Sequence, residues 1–147
     1  MRRIGARLAT ADDVDAAGGL AAVRSPTAWT RRGLAAELAR EDALFAVVTD
    51  DDGVAGYAVA RFVEKECRLL DFVVAEDGLG LGRVLWAFLV EEARRRGAAS
   101  LTLEVSQKNR RAWSFYVAAG AKEVGWRPKF YADGSAAVLM DLDLLKL

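Results

Sequence analysis

The chain has 147 residues, about one domain's worth, and is 53% hydrophobic and 29% charged, with 21 basic residues balanced by 21 acidic ones. A domain of that size buries roughly 68–70% of its unfolded surface, and cancelled charge gives no footing for a broad electrostatic hold on nucleic acid. Without histidine, and with Cys67 as the single cysteine, the chain has no internal disulfide and no His/Cys metal site, so no metal is expected and a reducing, cytoplasmic setting is the natural reading.

At the N-terminus, Asp12, Asp13 and Asp15 interrupt any signal-peptide apolar core, and no stretch approaches the roughly 20 apolar residues of a membrane span. No membrane partner is expected. "RRIGARLA" reads as an edge strand. Thr10 followed by Asp13 matches a capping box, opening a helix that runs to about Arg24. "RSPTA" is a turn, and Thr30 caps a second helix with Leu34 and Leu38 on one face. "ALFAVVT" is a strand, Asp50 to Gly53 a hairpin turn, and "VAGYAVARFV" the returning strand. "CRLLDFVVA" is apolar enough to be central. After a glycine-rich stretch, Val84, Leu85, Phe88, Leu89 and Ala93 recur at helical spacing and Gly97 ends the helix. "SLTLEVS" alternates as a strand, Asn109 caps the helix "RRAWSFYVAAG", and two last strands flank the turn Ala132 to Gly134. With no linker or repeat, residues 1–147 read as one α/β domain with a mixed sheet, parallel at the crossover from "LLDFVV" to "SLTLEV".

The glycines in "DFVVAEDGLGLGRVLWAFLVEE" stand at alternate positions, Gly78, Gly80 and Gly82. The dinucleotide fingerprint G-x-G-x-x-G fails because Arg83 occupies the place of its third glycine, and no Gly-Lys-Ser/Thr follows to make a Walker A loop. What remains is a strand, a glycine turn and a helix start. Its exposed N–H groups suit a pyrophosphate, although by itself a structural turn is the commoner use of such a stretch.

The next segments add weight. Taken together and in order, "SPTAW", "LLDFVV", the glycine loop, "EEARRRGA", "LEVSQKN", "AWSFYVAAGAKEVG" and "RPKFYADG" resemble the GNAT superfamily of acyl-CoA-dependent N-acetyltransferases. More narrowly, they are similar to the bacterial N-terminal-alanine acetyltransferases that modify a ribosomal protein. The resemblance covers nearly the whole chain and implies a GNAT-like fold, a mixed central β-sheet flanked by helices on both faces. It also implies acetyl-CoA as cofactor and an acceptor that is a protein N-terminus or a small amine. It places Gly78, Leu79, Gly80, Leu81, Gly82 and Arg83 under the coenzyme pyrophosphate and Asn109 on its pantetheine arm. Glu104 and Tyr116 then match the family's glutamate and tyrosine. Tyr131 falls in the substrate-side loop, and Trp29, in "SPTAW", is the second substrate-side residue expected.

The chemistry explains these residue types. An α-amino group with a pKa of about 7.7–8.0 attacks only when neutral, so Glu104 is the candidate base. A backbone N–H around Phe72, Val73 and Val74 suits the oxyanion, and the Tyr116 phenol can protonate the departing thiolate. Each residue also has a duller reading: Glu104 a solvent-facing strand residue, Tyr116 a core aromatic with its hydroxyl on a carbonyl, Asn109 only a helix cap, Tyr131 a hairpin residue. Cys67 reads as a small buried hydrophobe. Asp77 stands where the resemblance leads one to expect arginine or glutamine, after Glu76 and in a shortened loop. That predicts weakened coenzyme binding, and leaves a non-catalytic acyl-CoA-sensing or partner-binding domain as the alternative to an enzyme.

Overall fold

Thr10 and Asp13 form the capping box that their spacing predicts. The Asp13 carboxylate accepts from the Thr10 N–H at 2.8 Å, and a 3-10 turn at Ala11–Asp13 leads into α1, Val14–Arg24. The computed structural model describes residues 2–25 and 29–147. The turn expected at "RSPTA" therefore lies in part, at residues 26–28, outside the described residues. Thr30 accepts from the Gly33 N–H at 3.0 Å and caps α2, Arg31–Leu38.

The strands are β1 (Gly5–Leu8), β2 (Ala43–Asp50), β3 (Gly53–Val63), β4 (Glu66–Val74), β5 (Ser100–Ser106), β6 (Lys122–Arg127) and β7 (Ala137–Asp143). They form one seven-stranded sheet in the order β1-β2-β3-β4-β5-β7-β6, with the edge expected at β1 and β4 at the centre. Among the described residues only β4 and β5 run parallel, because the helix α3 (Leu81–Arg95) crosses over between them. A second helix, α4 (Arg110–Ala118), joins β5 to β6 and is capped by the Asn109 side chain, whose Oδ1 accepts from the Ala112 N–H at 3.2 Å.

The period of two in β2 sends Leu44, Ala46 and Val48 to one side of the sheet and Phe45 and Val47 to the other. Two cores result. Leu81, Leu85, Leu89 and Ala93 of α3 pack with Leu101, Leu103, Val105 and Met140 on one face, each buried leucine contributing roughly 1.5–3 kcal/mol. Val14, Ala17, Ala21 and Leu34 pack with Tyr57, Val59 and Val73 on the other. This is the expected mixed sheet with helices on both faces.

The closing hairpin departs from expectation. The last two strands do not flank Ala132 to Gly134 directly but are joined by residues 128–136. The tight turn is present inside that connection, with the Gly134 N–H on the Tyr131 carbonyl at 2.9 Å. Its base is tied to the end of β5: Gln107 accepts from the Ala136 N–H at 2.7 Å, and the Ser106 and Ser135 hydroxyls lie 2.9 Å apart. Side-chain ties of this kind hold residues that a sheet ladder would otherwise take.

Candidate active site

The site begins with a β-bulge. Val59 pairs with Asp71 and Ala60 with Leu69, leaving Leu70 as the extra residue of β4. Before the bulge Cys67 and Leu69 face the α3/α4 core; after it Phe72 and Val74 do, while Val73 faces the α1/α2 core. β4 also parts from β5. Their pairing comprises Glu66 with Ser100, Cys67 with Leu101 and Arg68 with Thr102, and goes no further. From there to Val74 the side of β4 away from β3 borders an open slot.

Peptide groups alternate in direction along a strand. The Ala75 N–H donates to the Ala55 carbonyl at 2.8 Å, so the peptide groups of Val73 also turn toward β3. Those of Phe72 and Val74 face the slot. Of the three residues expected to offer an oxyanion amide, Phe72 and Val74 turn theirs toward the slot, while that of Val73 faces β3. The Phe72 N–H is held at 3.0 Å by the Oδ1 of Asp71.

Beyond the slot lies the glycine loop. Gly78 and Gly80 have φ of +81° and +85°, left-handed values that suit glycine, and a Cβ at either would meet open space. Gly82 serves differently: a Cβ there would stand 3.3 Å from the Phe115 ring. Two glycines make the turn and the third lets α3 approach α4. None of the N–H groups from Gly78 to Arg83 finds an acceptor among the described residues, the first such bond being Val84 N–H to the Gly80 carbonyl at 3.2 Å. The Leu81 side chain is buried in the core, so only its amide faces the loop. Arg83 is exposed at the helix start.

Asp77 is not a bare anion. Its Oδ2 lies 3.4 Å from Nη2 of Arg24 at the end of α1 and 3.4 Å from Nε of Arg111 on α4. Arg24 also donates to the Ala75 carbonyl at 2.7 Å. The basic support missing from the loop's own sequence arrives from two other elements.

Glu104 projects from β5 on the face opposite the α3/α4 core, past the point where β4 departs, and Arg127 of β6 lies 3.4 Å from its Oε1. Tyr116 is buried with ring centroids 6.2 Å from Phe72, 5.6 Å from Trp86 and 5.6 Å from Phe115. Its hydroxyl has no hydrogen-bond partner among the described residues, yet is not one of the sealed orphan atoms, of which Glu37 Oε2 is the case found. The dull reading of a hydroxyl parked on a carbonyl is therefore not what this residue does. Burial, helped by the charge of Asp71, pushes the Tyr116 phenol well above its usual value. Burial and then the charge of Glu104 raise that of Tyr131. Tyr116 thus responds to the charge of Asp71, and Tyr131 to that of Glu104.

Asn109 spends its carbonyl oxygen on the cap and keeps its amide donors. Trp29 rests on Gly33 and is partly buried against the α1/α2 core, on the far side of the sheet from Tyr116. Cys67 is buried in the α3/α4 core and burial pushes its thiol up to about 12, which makes it inert. Sequence reasoning missed Arg127, Arg24, Arg111 and Asp71. No spacing rule signals them, since the three arginines and the Ser25 contact of Asp71 join segments far apart in the chain.

Comparison with known proteins follows the same lines. Residues 15–121 match the model of the Acetyltransferase (GNAT) family. The chain is 32% identical over 102 residues, 66% of its length and 69% of the relative's, to the [Ribosomal protein bS18]-alanine N-acetyltransferase of Salmonella typhimurium strain LT2. Its fold superposes on the crystal structure of the ribosomal-protein-S18-alanine N-acetyltransferase from Escherichia coli with a TM-score of 0.85, 28% identity, and coverage of 98% of this chain and 94% of that one. A Salmonella typhimurium protein solved with its cofactor acetyl-CoA shares the fold at a TM-score of 0.80 and 23% identity, over 96% of this chain and 94% of that one. The chain belongs to the GNAT family of acetyltransferases.

Proposed function

We propose that the protein transfers an acetyl group from acetyl-CoA directly to a primary amine, with a protein N-terminal α-amino group as the leading acceptor, within a ternary complex. The observation that carries this reading is the parting of β4 from β5 beside a row of uncommitted N–H groups. A helix start with bare amides favours a pyrophosphate, and an opened strand pair offers peptide groups to an extended arm. The residues fit such a group. Gly78, Leu79, Gly80, Leu81, Gly82 and Arg83 would hold the pyrophosphate through their N–H groups, and Phe72, Val74 and the Asn109 amide would hold the arm. Bound there, acetyl-CoA supplies a thioester carbonyl and a sulfur leaving group.

The protein's own part is proton handling and charge. Most of an α-amino group with a pKa of about 7.7–8.0 is protonated at pH 7. Glu104 takes that proton, directly or through a water, while Arg127 holds the carboxylate in place. As the N–C bond forms, a slot-facing N–H of Phe72 or Val74 meets the negative charge developing on the carbonyl oxygen. As the C–S bond breaks, Tyr116 gives its proton to the sulfur. Its raised pKa keeps that proton in place at neutral pH. Glu104 passes its first proton to solvent and takes the second one, which the nitrogen sheds once the N–C bond has formed. Tyr116 regains one from solvent, so that one proton is released per acetyl group transferred. Tyr131 and Trp29 lie toward the acceptor. The relatives named as ribosomal-protein-alanine N-acetyltransferases support an α-amino acceptor.

Calorimetric titration with acetyl-CoA, followed by mass analysis of an alanine-led peptide incubated with both, tests the proposal. Micromolar binding, about −8 kcal/mol, with gain of one acetyl group on the peptide is expected. A folded protein that binds no acetyl-CoA would instead be a GNAT scaffold serving as a binding module.

A further inference from the structure

A second carboxylate shares the open sheet face with Glu104. The α1/α2 core takes residues from β2, β3 and β4 but, among the described residues, none from β5, β6 or β7. The face of β5 and β7 turned away from the α3/α4 core is therefore bare of helix packing, and it carries Thr102, Glu104, Leu139 and Asp141. Glu104 stands opposite Leu139 and Thr102 opposite Asp141, so Asp141 is a diagonal neighbour of Glu104, about 7–8 Å away. Arg127 reaches Glu104 from the other diagonal, level with Ala137. Asp141 lies level with Arg68 and Thr102, the last pair before β4 and β5 part. Its carboxylate has no hydrogen bond or ion pair among the described residues, and its oxygens are not sealed from solvent. Arg68, in the same row, is held by Glu66 at 2.9 Å, and Lys122, the β6 partner of Asp141, makes no ion pair with it. Burial, and then the charge of Glu66, raise the Asp141 carboxyl above its usual value, as befits an anion without a counter-charge.

We propose that Asp141 selects acceptors by their second residue, its carboxylate receiving a cationic side chain from the residue that follows the reacting N-terminal amine. This inference rests on the acetyl-transfer reading and narrows its acceptor class. With the α-nitrogen at Glu104, the acceptor crosses the open face as an extended chain, rising about 3.3 Å per residue. A long basic side chain one residue on spans the diagonal to Asp141, which a short first side chain does not. Its aliphatic stem lies over the half-buried Leu139, directly beside Glu104, and its charged end meets the carboxylate. Glu66 and Glu104 already have arginine partners, so Asp141 is the acid of this row left to an incoming cation. A hydrogen bond between two charged groups there is stronger than one from a neutral donor. Asp141 is a specificity-determining residue and takes no proton; Glu104 remains the base.

The test compares two alanine-led peptides of equal length, one with arginine and one with its neutral isostere citrulline at the second position. Wild-type kcat/KM should favour the arginine peptide about tenfold, the scale of one charge-assisted hydrogen bond. The difference should lie in KM, because the contact is the same in the ground and transition states. Asp141→Asn and Asp141→Ser should each bring the ratio of the two peptides to within about twofold of one, by weakening use of the arginine peptide. A wild-type ratio near one overturns the proposal with no variant needed. A preference for arginine that survives in the variants overturns it too, and a disturbed scaffold that lowers both peptides together gives that same result. Wild-type protein that acetylates neither peptide overturns the acetyl-transfer reading and this inference with it, whereas acetylation of both alike overturns this inference alone.

Discussion

Tyr116 packs its ring among Phe72, Trp86 and Phe115 while its hydroxyl stays unpartnered among the described residues. Tyr116→Phe thus preserves the packing and removes one proton. If that proton goes to the leaving sulfur, kcat should fall by about 10²–10⁴ with the thermal unfolding midpoint nearly unchanged, as paired kinetics and calorimetry would measure. A variant with full kcat would return Tyr116 to the core. Its spacing after Ala112 and Trp113 already made burial legible. The state of the hydroxyl was not, because it depends on which groups of β4 and the β6–β7 connection come near. Glu104 was legible as a strand residue on the non-core face for the same reason of periodicity. Its Arg127 partner comes from a strand two places away in the sheet and left no mark on the sequence.

At the scale of elements, local rules were read most directly where the interaction is itself local. Thr10 and Asp13 announced the start of the first helix, Thr30 the second and Asn109 the fourth, since a cap needs only residues within one turn. The cap at Asp13 has a further, non-local partner. Arg7 on β1 reaches it at 2.7 Å, and that hydrogen bond, ahead of other contributions, holds the Asp13 carboxyl below the usual carboxylate range. A depressed folded-state pKa stabilises above the unfolded value of about 3.9 and is lost as pH falls through the folded one. Arg7→Gln should therefore destabilise the protein at pH 6–7 (by roughly 1 kcal/mol or less, since the guanidinium is half exposed) and make little difference near pH 2. Urea unfolding at the two pH values checks this; an equal loss at both would assign Arg7 another role. The glycine loop divides in the same way. Left-handed turns at Gly78 and Gly80 follow from the strand-to-helix reversal, but the need for glycine at position 82 comes from Phe115, which only the docking of α4 brings to 3.3 Å.

At the scale of the whole molecule, charge that looks misplaced in the sequence is compensated in space. Asp77 reads as an acid set against a pyrophosphate, yet the end of α1 and the start of α4 bring Arg24 and Arg111 to the same carboxylate oxygen. Asp77→Asn should leave both arginines facing the loop and tighten acetyl-CoA binding a few-fold at low salt. The gain should fade as ionic strength rises, because the Debye length is only about 10 Å at 0.1 M. Calorimetry across a salt series decides; weaker binding would mean that Asp77 is needed to hold the arginines in place. Among the described residues no helix is long and apolar enough to cross a membrane. The sequence by itself determined the order of strands and helices, the central place of β4, its parallel step to β5 and the nature of the glycine loop. Hydrophobic period and turn chemistry act over a few residues and are written where they act. Tertiary structure alone decided the bulge at Leu70, the parting of β4 from β5, and the pairing of Glu104 with Arg127 and of Asp77 with Arg24 and Arg111. Those depend on register and docking between segments far apart in the chain, where a contact is set by the whole sheet rather than by its neighbours.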